Sequence, residues 1–186
     1  MKRSVFFVFT ALSVAGTAAY AQKSEVGKRA ANQQQRIAQG VKSGSLTARG
    51  TANLESKEAA INHEVKADRA ANGGKLTAQE KHTVNQQQNR LSNRIYADKH
   101  NAAHQNYGSS QVGQRQTNQQ QRIANGIASG KLSAGQTARI ENHEAGINQE
   151  VHADRAANGG KLTSGEKQQV NHQLNQTSGQ IYKDKH

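Results

Sequence analysis

The sequence predicts an all-α protein made of a tandem duplication of a three-helix unit. The 186-residue chain contains no Pro, and it is rich in Ala, Gln, Lys, Arg and Glu, which favour helix over coil. Residues 26–100 align with residues 112–186 without a gap, and 47 of the 75 aligned positions are identical. Apolar residues recur at intervals of three and four, which is the spacing of an amphipathic helix. Both copies are therefore expected to fold alike.

Turn and cap signals divide each copy into three helices. A Gly followed by Leu and then Thr or Ser ends one helix and begins the next, because Gly adopts the left-handed closing conformation and the hydroxyl caps the new helix. Thr47 is expected to cap alone, since Gly50 stands where a capping box needs Glu or Gln. Capping boxes are predicted for Thr77 with Glu80, Ser133 with Gln136, and Thr163 with Glu166. The predicted helices are 28–42, 47–71, 77–100, 113–128, 133–157 and 163–184.

Each predicted helix has only a narrow apolar stripe. Leu46 and Leu76, just before two of the caps, are expected to close the hairpins as hydrophobic staples. Leu, Ile and Val make up 22 of residues 22–186, about 13%, below the roughly 20% typical of a self-sufficient core at high charge. We therefore expect an extended or thinly packed helical protein. The first-copy stripes are Ile37 and Val41; Leu54, Ile61 and Val65; and Val84, Leu91 and Ile95.

The first 21 residues have the three parts of a secretory signal. Lys2 and Arg3 precede an apolar stretch at residues 5–15, which is too short to span a bilayer comfortably. Cleavage is expected between Ala21 and Gln22, giving a periplasmic or secreted protein that does not span the membrane. The predicted organisation is a signal peptide at 1–21, helical repeats at 22–100 and 112–186, and a linker at 101–111.

The sequence contains no recognisable catalytic constellation or cofactor loop. Ser and Thr fall in predicted turns and caps, without a His and an acid in a known order. We therefore expect a non-enzymatic protein without a cofactor. His100 and His104 are the candidate metal pair, because a spacing of four would place both imidazoles on one helix face. The alternative role of His100 is a favourable charge at a helix C-terminus.

The turns resemble two known motifs. Residues 76–80 (LTAQE) and 132–136 (LSAGQ) resemble the LTxxQ motif of periplasmic chaperones, which are small exported all-helical proteins that dimerise into a basic cradle. That resemblance implies binding of unfolded envelope proteins and a role in sensing metal or envelope stress. The segment that ends at Glu80 also resembles a degenerate EF-hand loop, but Arg69 stands where a calcium ligand is required. The whole organisation is similar to uncharacterised exported helical repeat proteins of Gram-negative bacteria, which implies no activity.

Positive charge is the broadest functional signal. The formal net charge is +12, and its spread along the chain would attract polyanions through counterion release. We therefore expect a binding or structural protein that acts through a basic helical surface on lipopolysaccharide, anionic lipid or extracellular nucleic acid. Self-association into a homo-oligomer that shares the apolar stripes is one way in which such a chain could be stabilised. The alternatives are a holdase chaperone, a His-based transition-metal binder and a merely solvated basic surface. The candidate anion contacts are Arg36, Arg69, Arg122 and Arg155.

Overall fold

The structure, a computed structural model, describes residues 24–186, and this part of the chain is all-α. It contains six helices and no strand. The all-α prediction is confirmed, and every helix begins and ends within three residues of its predicted bounds. The predicted signal peptide at 1–21 lies outside the described residues. The helices are α1 (Glu25–Ser43), α2 (Ala48–Ala71), α3 (Ala78–His100), α4 (Gln111–Ala128), α5 (Ala134–Ala157) and α6 (Ser164–Lys185).

Side-chain caps begin the helices. Thr77 Oγ1 accepts a hydrogen bond from the Glu80 amide at 3.2 Å, and the Thr77 amide donates to Glu80 Oε2 at 2.7 Å. Thr47 accepts from the Gly50 amide at 3.0 Å and has no reciprocal partner, because Gly50 lacks a side chain. The boxes expected from the sequence are present at Thr77–Glu80, Ser133–Gln136 and Thr163–Glu166.

The first three helices meet the last three along two long contacts. The most extensive contact joins α2 to α5, and the next joins α1 to α4. Arg49 at the start of α2 donates to Gln149 in the second half of α5 at 3.4 Å. A Cβ built on Gly135, at the start of α5, would lie 4.0 Å from the Ala59 Cβ in the middle of α2. The α2 and α5 helices are therefore antiparallel.

The predicted apolar stripes form the core. One cluster of buried side chains runs through both halves and contains Ile37, Leu54 and Ile95 together with Ile123 and Ile140. Both predicted staples are buried in this cluster. A smaller cluster joins α4, α5 and α6. The expectation of a thin core was incomplete, because buried amides, hydroxyls and carboxyls fill much of the interior between the apolar residues.

Buried amides join α1 to α3 and α4 to α6. Gln33 Nε2 donates to the Gln88 carbonyl oxygen at 2.7 Å and to Ser92 Oγ at 2.9 Å. Gln119, its equivalent in the second copy, makes the same two kinds of bond to α6. Most buried polar groups in proteins have a hydrogen-bond partner. These bonds explain why a Gln of each Gln-rich run, Gln33 or Gln119, lies in the interior.

Candidate functional site

The linker contacts the helices through two residues, Gln105 and Tyr107. Gln105 donates its amide to the Gly44 carbonyl oxygen at 2.8 Å, and its Oε1 accepts from the Ala48 amide at 3.2 Å. Gln105 therefore adds a second cap at the start of α2. Tyr107 is half-buried, and its hydroxyl lies within electrostatic reach of Glu141 on α5. The linker thus joins α2 to the interior of the second copy.

The two histidines proposed as a metal pair do not share a helix. Helix α3 ends at His100, and His104 lies in the linker, so the geometry assumed from their spacing of four residues is absent. The His100 ring stacks on Tyr96, with centroids 4.1 Å apart, and its Nδ1 lies 2.7 Å from the Tyr96 carbonyl oxygen. Across residues 24–186, no three His, Asp or Glu side chains are arranged to hold a metal ion.

In the turn after α2, the acid compared with an EF-hand ligand is engaged in hydrogen bonds. Glu80, the expected last ligand of an EF-hand, receives the Thr77 amide and the Asn72 side-chain amide. The backbone N–H of Thr77 is the main reason that the pKa of Glu80 is lowered. The carboxylate therefore serves as a cap of α3.

The four candidate arginines all make hydrogen bonds inside the chain. Arg36 Nη2 donates to the Ser92 carbonyl oxygen at 3.1 Å, and it thereby ties α1 to α3. Arg122 makes the equivalent bond between α4 and α6 at 3.2 Å. Arg69 and Arg155 donate to the hydroxyls that cap α1 and α4, at 3.2 and 2.9 Å. The structure therefore gives all four a positioning role within the fold.

The surface of the described part is strongly basic. Residues 24–186 contain 22 Lys and Arg, none of which is buried, and 13 Asp and Glu, of which four are buried. Nine acidic side chains therefore face 22 basic ones at the surface. Within this part only two ion pairs form, Lys28 with Glu25 and Arg94 with Asp98. Most of the positive charge is not neutralised by an ion pair.

A cleft between α2 and α3 is lined by two cationic side chains. Lys57 on α2 and Arg94 on α3 line a space of about 480 Å³. Arg94 Nε contacts Asp98 Oδ2 at 3.0 Å, which leaves its two terminal amino groups for another anion. Guanidinium and ammonium groups beside hydroxyl and amide groups form a surface suited to phosphate or sulfate. The cleft is also lined by Asn53, Leu54, Ser56 and Ala60.

The corresponding position of the second copy carries less fixed positive charge. His143 and Gln180 stand there in place of Lys57 and Arg94, although Arg139 replaces Asn53. His143 instead lines a smaller cleft of about 320 Å³ between α5 and α6. Glu150, which also lines that space, accepts hydrogen bonds from two glutamines of α6. The cleft of the first copy is therefore the better candidate for an anion.

Four buried glutamates lie on the two helices that join the copies, and we call them the carboxyl cluster. Its members are Glu55 and Glu58 on α2 and Glu141 and Glu144 on α5, all 0% exposed. One oxygen of Glu55 and one of Glu141 accept side-chain amides of α1 and α4, at 2.9 and 3.0 Å. The other six carboxyl oxygens make no hydrogen bond of good geometry within the described residues, although the Asn62 side chain lies close enough to Glu58 to lower its pKa.

Burial shifts the acidity of the whole cluster. It raises the pKa of Glu55 to about 8, that of Glu58 to about 7 and that of Glu144 to about 8. Burial also raises the pKa of Glu141 well above its ordinary value, and the nearby Glu144 and Glu55 carboxyls raise it further. The physical cause is the cost of holding a charge away from water. Burial therefore favours the neutral form of Glu55 and Glu144 at pH 7, and it shifts Glu141 in the same direction.

The sequence analysis did not identify the carboxyl cluster. A signal was present, because Glu58 stands four residues after Leu54 and three before Ile61, on the buried stripe of α2. Glu55 and Glu58 are separated by two residues, and Glu141 and Glu144 have the same spacing on α5. Charged residues are seldom buried without partners, so the sequence pattern alone gave no reason to place these acids in the interior.

The fold and these sites define an all-α protein with a basic surface and an acidic interior joint. Comparison with known protein families, characterised proteins and solved structures finds no match. None of the helices in residues 24–186 has the length and apolar character needed to cross a bilayer.

Proposed function

We propose that this chain is an exported, non-enzymatic protein that binds polyanions through its basic helical surface. The partners are phosphate- or sulfate-bearing polymers and surfaces outside the cytoplasm, such as lipopolysaccharide, anionic lipid or extracellular nucleic acid. The secretory signal predicted from the sequence of residues 1–21 supports this location.

The observation that carries the proposal is the separation of charge between surface and interior. All 22 basic side chains of residues 24–186 are at least partly exposed, whereas four of the 13 acidic ones are buried. Burying these acids in a neutral form removes negative charge that would otherwise weaken the positive field. A polyanion that contacts such a surface releases condensed counterions, which favours binding at low salt.

The cleft between α2 and α3 provides a specific contact for this interaction. Lys57 and Arg94 face one space from two helices that pack together. We assign the strongest anion contact to this pair. The four arginines selected from the sequence contribute to the general field, since one terminal amino group of each already bonds within the fold.

Salt-dependent binding of residues 22–186 to heparin and to lipopolysaccharide tests the proposal. Affinity is expected to fall at least tenfold between 50 and 200 mM NaCl, since about six phosphate contacts lose on the order of a thousandfold over this range. The double variant Lys57→Gln/Arg94→Gln is expected to bind more weakly than the charge-matched control Lys75→Gln/Lys161→Gln. Both control lysines are exposed and stand in equivalent turns. An affinity that does not depend on the NaCl concentration, or the absence of binding, would contradict the proposal.

The described surface offers less support for a holdase chaperone. A holdase needs an exposed apolar face, and in residues 24–186 the exposed large hydrophobic side chains are Tyr96 and Tyr182. Each lies next to an imidazole, at 4.1 and 4.6 Å between ring centroids. A client-aggregation assay with and without the protein separates the two hypotheses.

A further inference from the structure

The joint between the two copies is built on carboxyl groups that have no cation beside them. Glu55 and Glu141 occupy equivalent positions in the two copies, on antiparallel helices that pack against each other. Each carboxyl receives one hydrogen bond, from the amide of Gln34 or Gln120. A buried charge without an opposite charge is strongly unfavourable. The joint is therefore compatible only with a neutral state of these groups.

The surroundings of this pair supply acids and amides. Within electrostatic reach of Glu55 and Glu141 lie Glu58 on α2, Glu144 on α5 and the Tyr107 hydroxyl from the linker. From α1 and α4 the neighbours are neutral amides. No Lys, Arg or His in residues 24–186 forms an ion pair with any carboxyl of the cluster, from α3, α6 or elsewhere. Negative charge formed here would have no local compensation.

We propose that the contact between α2 and α5 is a proton-dependent joint, closed while the carboxyl cluster is protonated and loosened when the cluster ionises. In this proposal protons act as the ligand of the joint. No three of its carboxyls are arranged to hold a metal ion. Loosening would separate the first three helices from the last three, since α2–α5 and α1–α4 are the main contacts between them. This inference is independent of the proposed polyanion binding.

The direction of the pH effect follows from linkage. The pKa of a glutamate in the unfolded chain is near 4.5, whereas in the folded chain the pKa of Glu55 is about 8 and that of Glu58 about 7. Between pH 4.5 and 8 the folded state therefore holds more protons than the unfolded state, and stability falls as pH rises. The stabilisation by protonation is complete below pH 4.5 and is lost above pH 8. This trend is opposite to that of a protein held together by ion-paired carboxylates.

Thermal unfolding of residues 22–186 from pH 5 to pH 9.5, at constant ionic strength and with chelator, tests the joint. The melting temperature of the wild type is expected to fall by on the order of 10 °C over this range. Glu58→Gln/Glu144→Gln should flatten the profile and melt higher than the wild type at pH 9, because a neutral amide replaces an acid that ionises. Glu25→Gln, at an exposed position, should leave the profile unchanged. Parallel profiles for the wild type and the double variant would overturn the proposal.

A distance measurement distinguishes local opening of the α2–α5 contact from a general loss of stability. The chain has no Cys, so spin labels can be attached at Asn53→Cys on α2 and Asn142→Cys on α5, both exposed. The distance distribution is expected to broaden between pH 7 and pH 9 while the helical circular dichroism signal persists. A distribution unchanged until the helices melt would overturn the joint. Stabilisation of the wild type at pH 7 by Mn²⁺ or Zn²⁺, lost in Glu58→Gln/Glu144→Gln, would overturn it in favour of a metal site.

Discussion

The Leu46 side chain lies directly over the Cα atom of Gly40. A Cβ built on Gly40 would be 2.6 Å from both Cγ and Cδ1 of Leu46, which is 1% exposed. The Leu46 amide also donates to the Gly40 carbonyl oxygen at 3.0 Å. Gly126 and Leu132 repeat the arrangement in the second copy. The absence of a side chain on these glycines therefore lets the staple leucine fold back onto the preceding helix.

Gly40→Ala is expected to lower the free energy of unfolding by roughly 1–3 kcal/mol, because overpacking a filled core forces side chains and backbone to move. Chemical denaturation followed by circular dichroism measures the change. Gly146→Ala is the control, since nothing lies within 4 Å of its added Cβ and the first copy already has Ala60 at the equivalent position. That variant should gain roughly 0.5–1 kcal/mol from better helix propensity. A Gly40→Ala protein as stable as the wild type would contradict the packing argument.

The cap of α3 gives a second prediction. Thr77→Ala removes the hydroxyl that accepts the Glu80 amide, and it should cost about 0.5–2 kcal/mol of stability. Thr163→Ala should cost a similar amount, because Thr163 and Glu166 form the same box. Replacement of exposed Ser164 by Ala serves as the control, and it should have little effect. An equal effect of the control and the cap variants would show that the boxes add no stability.

Gln120 on α4 is predicted to contribute more to the free energy of unfolding than the next residue, Gln121. Gln120→Leu removes the donor to Glu141 Oε2 and leaves a buried oxygen without a partner, which costs about 1–3 kcal/mol. The loss should be larger at pH 8 than at pH 5, because the amide stabilises the ionised carboxylate more than the acid. Gln121→Ala, at an exposed position, is the control in the same denaturation series. A loss independent of pH would contradict the assigned role.

Arg122 distinguishes a positioning role from a ligand contact. Arg122→Gln breaks its bond to the Ser178 carbonyl oxygen, so we expect a stability loss of roughly 1–2 kcal/mol. Heparin affinity of the folded variant should fall only as far as that of Lys131→Gln, which removes the same charge from an exposed site. A much weaker affinity at unchanged stability would instead make Arg122 a direct anion contact.

The polar groups in the interior explain why sequence analysis did not identify the carboxyl cluster. The apolar stripe that contains Leu54 and Ile61 predicts where α2 packs against its neighbours, and both residues are buried as expected. Glu58 belongs to the same stripe, but an acid at that position is equally compatible with an exposed edge. Its burial depends on the packing of α5 against α2, and α5 is distant from Glu58 in the sequence. The Lys57–Arg94 cleft likewise needs the relative placement of two helices.

Local chemistry determined most of the helix bounds, because a cap or a left-handed glycine acts on a backbone only a few residues long. Thr77, Thr163 and their acidic partners carry that information in positions three residues apart. The tertiary structure decided which polar groups leave water, since exposure depends on the neighbour that covers a face. Glu55 and Glu141 are buried only because two antiparallel helices closed over them.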